Sequence, residues 1–216
     1  MNIEDLYASN PKKIVKDGYN QIAETYLDWI QNVRSSERKK YTEIILTQLL
    51  AGSALLELGC GTGLPTTQTL AKHYQITGVD LSERHIELAQ KNVPQATFHC
   101  GDMTKLDFPT NTFDAIAAFY SLGHIPRNEM APLLKNIAQW LKPNGLFVAS
   151  FGTLPDYGSI EPDWLGAPMY WSSHDAETNQ KLVRDVGLHI IRAIKETDEE
   201  FEEPVTFLWV VARKSV

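Results

Sequence analysis

The chain has 216 residues, 27 acidic against 20 basic side chains and a formal net charge of -7. That length suits one domain with a sizeable core, and 43% hydrophobic against 22% charged residues is a globular balance. No apolar run approaches the roughly 20 residues that span a bilayer. No block of Lys and Arg marks a phosphate-binding face, and Met1-Asn2-Ile3-Glu4-Asp5 lacks the order of a secretory signal, so the expectation is a cytoplasmic protein with neither membrane nor nucleic acid as partner.

Residues 1–16 read as a loose arm, with Lys12-Lys13 a solvated pair. Tyr19, Ile22, Ala23 and Tyr26 recur at helical spacing and predict a helix over 16–29. A second helix is expected over 37–50, turning Tyr41, Ile44, Ile45 and Leu49 inward, with Lys39-Lys40 again solvated. Leu55 to Leu58 is an apolar strand interrupted by Glu57, and Gly59, Gly61 and Gly63 follow it at alternate positions. Glycines this close let the backbone bend sharply and let a ligand approach without a Cβ in the way. A helix is expected over 65–73, with Pro65 in its first turn.

The segment from Tyr74 reads as a second strand ending in Asp80, a carboxylate roughly 20 residues past the glycines and suited to the two hydroxyls of a ribose. Ser82 is the expected N-cap of a helix over 83–92. A third strand from Ala96 ends in Asp102. Strand, glycine turn and helix, followed by acids at successive strand ends, describe one extended adenosine ligand. The spacing is G-x-G-x-G rather than the dinucleotide G-x-G-x-x-G, and Glu57 beside it would repel a pyrophosphate but attract an ammonium. S-adenosylmethionine carries an ammonium and no phosphate, so the electrostatics favour it over a nicotinamide dinucleotide.

A fourth strand is expected over 115–120, a helix over 128–140 stopped by Pro143-Asn144-Gly145, and a fifth strand over 146–151. The stretch 153–174, rich in proline and aromatics, reads as an irregular lid or acceptor wall, with a cluster covering the sheet edge as the alternative. A helix over 176–186 precedes strands over 189–195 and 205–213, and Glu199 to Glu203 reads as a solvated acidic turn. Cys60 and Cys100 read as small buried thiols, since two cysteines make no framework and no cluster has metal-ligand spacing. No internal repeat or linker stands out.

Glu57-Leu58-Gly59-Cys60-Gly61-Thr62-Gly63, Gly78-Val79-Asp80-Leu81-Ser82, Gly101-Asp102-Met103, Phe113-Asp114-Ala115-Ile116 and Leu141-Lys142-Pro143-Asn144-Gly145 together resemble the ordered motifs of class I S-adenosylmethionine-dependent methyltransferases, of the small bacterial methyltransferase-domain type. The resemblance covers about residues 15–213. It implies an α/β, Rossmann-like three-layer sandwich whose mostly parallel seven-stranded sheet ends in a C-terminal antiparallel hairpin. It implies one domain over 1–216, with a helical cap over 1–50 and a substrate lid over 151–175. The implied activity is methyl transfer from S-adenosylmethionine to an O, N or C nucleophile of a small molecule. A Rossmann NAD(P)-dependent oxidoreductase and a non-catalytic cofactor-binding module are the alternatives.

The same resemblance puts Gly59 and Gly61 at the methionine portion, Gly63 among the cofactor-binding residues, Glu57 near the ammonium or else bracing the loop, Asp80 on ribose, Leu81 against adenine, Asp102 on the adenine amine and Met103 on the ring, with Asp80 and Asp102 as mere caps of the following segments the alternative. Phe119 would offer its backbone to the methionine. Tyr19 or Tyr26 would close that end or else pack in the core. His124 and Tyr120 would face the transfer zone as candidate catalytic groups, with His124 either a proton acceptor or a loop-holding residue. Arg127 is expected in a surface pair with an acid, with neutralising an acidic acceptor as the alternative. Trp164, Tyr170 and Trp171 would form the acceptor wall, and no metal is expected. The remaining histidines, His85 and His174 among them, belong to no evident constellation.

Overall fold

Alternation along the strands sorts the interior into two layers on either side of one sheet. The computed structural model describes residues 10–31 and 33–215. The elements are α1 (Pro11–Ile30), α2 (Ser35–Gln48), β1 (Ala54–Leu58), α3 (Thr66–Leu70), β2 (Gln75–Asp80), α4 (Glu83–Asn92), β3 (Thr97–Cys100), β4 (Phe113–Ala118), α5 (Arg127–Trp140), β5 (Leu141–Gly152), β6 (Asp156–Trp164), β7 (Ala167–Ser173), α6 (Ala176–Asp185), β8 (Leu188–Glu200) and β9 (Glu203–Lys214). Leu56, Leu58, Ile116, Ala118, Phe147, Ala149, Leu208 and Val210 join one buried cluster with α5 and α6. Their strand neighbours Leu55, Ala115, Ala117, Leu146, Val148, Trp209 and Val211 join another with α2 and α3. A strand with apolar side chains on both faces is the mark of a sheet covered on both sides.

The sheet order is β3-β2-β1-β4-β5-β9-β8. β1 to β5 pair in parallel, whereas β9 runs antiparallel to both β5 and β8. The expected sandwich with a C-terminal antiparallel hairpin is therefore the observed architecture. The order reverses between β1 and β4, and the crevice beyond the carboxyl ends of those strands is where an open α/β sheet binds its ligand.

Several boundaries differ from the sequence reading. The arm expected over 1–16 gives way to helix at Pro11, where Asn10 caps Lys12 N–H and proline suits the first turn; residues 1–9 lie outside the described residues. The helix expected over 65–73 shrinks to Thr66–Leu70. No loop separates α5 from β5: Pro143-Asn144-Gly145 sits in an excursion of that strand, where the register to β4 shifts.

The largest correction concerns 153–174, which is not irregular. β6 and β7 form a separate two-stranded antiparallel sheet with register shifts after Asp156 and before Trp164. Its inner face joins α1 in a third cluster around Ile14, Val15, Ile22, Trp164, Met169 and Tyr170. The acidic turn is likewise shorter than expected. β8 and β9 extend to Glu200 and Glu203, leaving Phe201 and Glu202 as the turn, both at positive φ (53° and 66°) as a tight hairpin of this kind requires. Glu200 is not solvated but pairs with the buried Arg34. Cys60 is buried as expected, whereas Cys100 is exposed.

Candidate active site

The site starts where β1 ends. Gly59 has φ +77°, and a Cβ there would stand 2.2 Å from the Cβ of Ser121, in the loop after β4. The Ser121 hydroxyl donates to the Leu58 carbonyl at 2.7 Å, so the loops after β1 and β4 are tied at the switch point. Only a residue without a side chain allows that approach. Gly63 faces elsewhere: its Cα lies against Ala89 and Val93 at the end of α4. Gly63, expected among the cofactor-binding residues, lines neither the cleft over the bend nor the recess beside Glu57.

A cleft of roughly 630 Å³, its open part included, lies over this bend. Tyr19, Gly59, Gly61, Asp80, Leu81, Asp102, Met103, Phe119, Tyr120 and His124 line it, together with Lys12 and His85, which the sequence reading had set aside. Glu57 does not line it.

Asp80, at the tip of β2, accepts the N–H of Gly61 at 2.9 Å and that of Ser82 at 3.0 Å, with His85 Nδ1 at 3.3 Å. Burial pushes its pKa up, but His85 and the two N–H groups outweigh this and hold it below the usual carboxylate range. Asp80 is thus an ionised, oriented acceptor at the centre of the cleft. Asp102 caps the short turn Met103–Lys105 through Thr104 N–H. Its other oxygen takes Lys12 Nζ at 2.7 Å, and the same ammonium reaches Glu129. Burial raises Asp102, and Lys12 and Thr104 more than offset it. Lys12 is therefore not the solvated lysine expected but a bridge from α1 onto the far end of the cleft.

His124 is buried and bonded at both nitrogens, to the Tyr170 carbonyl at 2.9 Å and to the Tyr19 hydroxyl at 2.8 Å. A carbonyl only accepts, so Nδ1 carries the proton and Nε2 accepts from Tyr19. Burial pushes its pKa down to about 4. The proton-accepting role expected of His124 does not fit this arrangement, because its basic nitrogen is occupied and its charged form is disfavoured. Its geometry is that of a residue fixing Tyr19. Tyr120 is held at φ +59°, with its N–H donating to Ser150 Oγ at 2.6 Å. Its buried hydroxyl has no hydrogen-bond partner among the described residues.

Two further recesses, their volumes again counting the open part, adjoin the cleft through shared walls. One, about 330 Å³, lies under the glycine bend between Arg38, Glu57, Thr62 and Thr66. Arg38 Nε and Nη2, Thr62 Oγ1 and Thr66 Oγ1 are buried there without hydrogen-bond partners among the described residues. Glu57 accepts from the Thr67 hydroxyl at 2.6 Å, and burial pushes its pKa up to about 7. Buried polar groups are ordinarily paired, so this set is a cradle for a ligand bearing both an anion and a cation. Arg38 was missed by the sequence reading, although it lies on the inward stripe of Tyr41, Thr42 and Ile45, where a charge is out of place.

The other recess, about 320 Å³, is walled mainly by aromatic rings, with Trp29, Trp164 and Trp171 from the cap and hairpin and Tyr19, Tyr26 and Tyr120 from the cleft side. Two of the three expected acceptor-wall residues meet here. Tyr170 does not; it contributes its carbonyl to His124 and packs against α1. Arg127 also departs from expectation, donating to His174 Nδ1 and lying 4.0 Å from the centroid of Tyr157.

No helix among the described residues is long and apolar enough to cross a membrane. The described residues contain no cluster of three His, Cys, Asp or Glu able to hold a metal.

Residues 55–145 match the family model described as methyltransferase domain. The chain is 37% identical over 113 residues to a ubiquinone biosynthesis O-methyltransferase of Coxiella burnetii, covering 50% of this chain and 46% of that protein. It is 31% identical over 123 residues to a 27-O-demethylrifamycin SV methyltransferase of Amycolatopsis mediterranei, covering 53% and 44%. The chain thus spans less than half the length of these relatives. In fold it is similar to the magnesium protoporphyrin IX methyltransferase of Synechocystis, solved with bound SAH, at a TM-score of 0.72 and 17% identity, covering 95% of this chain and 100% of that one. A methyltransferase from Methanosarcina mazei gives 0.70 and 18%, covering 80% and 97%.

Proposed function

We propose that this chain, whose residues 55–145 match a methyltransferase-domain model, transfers a methyl group from S-adenosylmethionine to a small-molecule acceptor. One observation carries the reading. Asp80, the glycine bend and the buried Glu57 and Arg38 line adjoining recesses that offer an acceptor to ribose hydroxyls and opposite charges to an ammonium and a carboxylate.

Asp80 would hold the ribose hydroxyls, Leu81 and Met103 would face adenine, and Asp102 would accept from its amine once shared with Lys12. Glu57 would take the ammonium, and Arg38 with Thr62 and Thr66 the carboxylate. Gly59 and Gly61 would bring their backbone against the chain between them, beside Phe119. When bound, S-adenosylmethionine supplies a methyl already activated by the adjacent sulfonium. The protein's task is then to bind, align and exclude water rather than to activate the electrophile. α1 and the β6–β7 hairpin cover the cleft and serve the last of these. The Tyr19–His124 pair holds the wall between cleft and aromatic recess, to which Tyr120 also belongs. The small-molecule methylations in the names of the two sequence relatives support the acceptor class.

Calorimetry with S-adenosylhomocysteine and NAD tests the cofactor reading: the first should bind and the second should not. Methyl transfer from labelled donor to a panel of small acceptors tests the activity. Binding of NAD alone would establish the oxidoreductase reading, and cofactor binding without transfer to any acceptor the non-catalytic one.

A further inference from the structure

We propose that α1 is a lid hinged on one apolar edge and latched along its opposite edge by charges, and that cofactor enters and leaves by parting the charged edge. The inference rests on the cofactor reading above for its ligand and adds the control of access to that site.

Helical spacing sorts α1 into three lines of side chains. Lys12, Val15, Tyr19 and Tyr26 line the cleft and roof it. Ile14 and Ile22 lie to one side, in the buried cluster that holds Trp164, Ala167 and Met169 of the β6–β7 hairpin. Gly18 falls between them, and a Cβ there would stand 2.7 Å from the Pro168 carbonyl oxygen, so helix and hairpin backbones touch. The hairpin is itself fixed to the body of the protein. Its Tyr170 carbonyl accepts from His124 at 2.9 Å, and Ser172 Oγ donates to the Ile125 carbonyl at 2.8 Å.

The opposite edge is Lys12, Lys16, Asn20 and Glu24, each four positions from the next and so aligned down the helix. All four meet polar partners in the segments after β2 and β3. Lys12 takes Asp102, Lys16 pairs with Glu83, and Glu24 pairs with Arg84. Asn20 Oδ1 accepts from Ser82 Oγ at 2.6 Å and from Arg84 N–H at 3.2 Å, while its Nδ2 donates to Glu83 at 3.0 Å.

The two edges differ in what their separation costs. Parting the first would bring Ile22, Trp164 and Met169, each no more than 3% exposed, into water. Parting the second only hydrates charges, and Lys16, Glu24, Glu83 and Arg84 already keep solvent contact. Such pairs are individually weak and screened by salt. The lid therefore tilts about its apolar edge. The tilt breaks the Tyr19–His124 bond and lifts the Tyr19 and Tyr26 rings from His85, which uncovers Asp80 and Asp102. A latch that makes no differential contact with the ligand slows entry and exit by one factor and leaves affinity unchanged.

Stopped-flow tryptophan fluorescence of the whole chain gives the association and dissociation rates of S-adenosylhomocysteine. Raising NaCl from about 0.05 M to about 1 M should increase both rates by about threefold or more while Kd moves less than twofold. Glu24→Arg should do the same at low salt, and Arg84→Glu added to it should return both rates toward wild type. Rates indifferent to salt and to Glu24→Arg, or a change in Kd carried by dissociation alone, would overturn the proposal. A second measurement needs no ligand. In a Cys100→Ser background, Ser82→Cys places a thiol beneath Asn20, where the shut lid buries it. Its labelling by a thiol reagent should accelerate with salt, and labelling independent of salt would overturn the lid. Salt-dependent labelling of protein that does not take up S-adenosylhomocysteine would remove the cofactor reading and leave the lid standing.

Discussion

Lys12 Nζ lies 2.7 Å from Asp102, ninety positions along the chain, and also bridges to Glu129. One ammonium from the first turn of α1 therefore neutralises two carboxylates that would otherwise face each other at the far end of the cleft. Asp102 and Glu129 both titrate below their usual range: burial raises each, and Lys12 and Thr104 outweigh it. A carboxylate depressed in the folded state adds stability above its unfolded pKa, lost as pH falls through the folded value. Lys12→Met should thus cost about 1 kcal/mol at pH 7, the modest end because all three side chains keep solvent contact. The deficit should be smaller at pH 3 than at pH 7. Urea unfolding at the two pH values measures it; an equal deficit at both would assign the loss to helix packing instead.

Glu57 has the opposite sign. Burial raises its pKa to about 7, partly offset by the Thr67 hydroxyl, so the folded state favours the protonated acid. Its contribution to stability is complete below its unfolded value and lost as pH rises through about 7. A ligand ammonium needs the ionised form. S-adenosylhomocysteine affinity should rise by about tenfold from pH 6 to pH 8, the change in the ionised fraction of a group titrating near 7. Glu57→Gln should bind more weakly and show a flat profile. A wild-type affinity independent of pH would separate Glu57 from the ammonium.

The parts of this fold visible in sequence were those governed by short-range rules. The apolar runs at Leu55–Leu58 and Ala115–Ala118 announced strands buried on both faces, and the glycines marked a bend whose tightness depends on Ser121. The β6–β7 hairpin was illegible because Pro155, Pro162 and Pro168 and the two register shifts break its alternation. Lys12 and His85 acquire meaning only through partners distant in sequence or on another element, Asp102 for one and the Tyr19 and Tyr26 rings for the other. Arg38 did carry a local signal, a charge at an inward helical position, which spacing exposes when every member of the stripe is weighed.

His124 should remain neutral at pH 6 and above. Burial lowers its pKa to about 4, so protonation is favoured in the unfolded chain. The associated stability is complete above pH 6.5 and lost as pH falls from there toward 4. Imidazole resonances should show no titration above pH 5. The unfolding free energy should fall over pH 6.5–4 in the wild type and less in His124→Asn. A resonance titrating near 6.5 in the folded protein would restore His124 as a candidate base.

Arg38 separates binding from folding. Its Nε and Nη2 are buried and without partners among the described residues, so their desolvation is uncompensated in the free protein. Arg38→Leu should leave thermal stability unchanged or raised. The same substitution should weaken S-adenosylhomocysteine by about 2–3 kcal/mol, roughly the worth of charge-assisted bonds to a carboxylate. Arg38→Lys should recover only part of it, since an ammonium cannot reproduce the planar fork. Adenosine lacks the amino-acid end and should bind wild type and Arg38→Leu alike. A parallel loss of adenosine affinity would mean that Arg38 shapes the glycine bend instead of meeting the carboxylate.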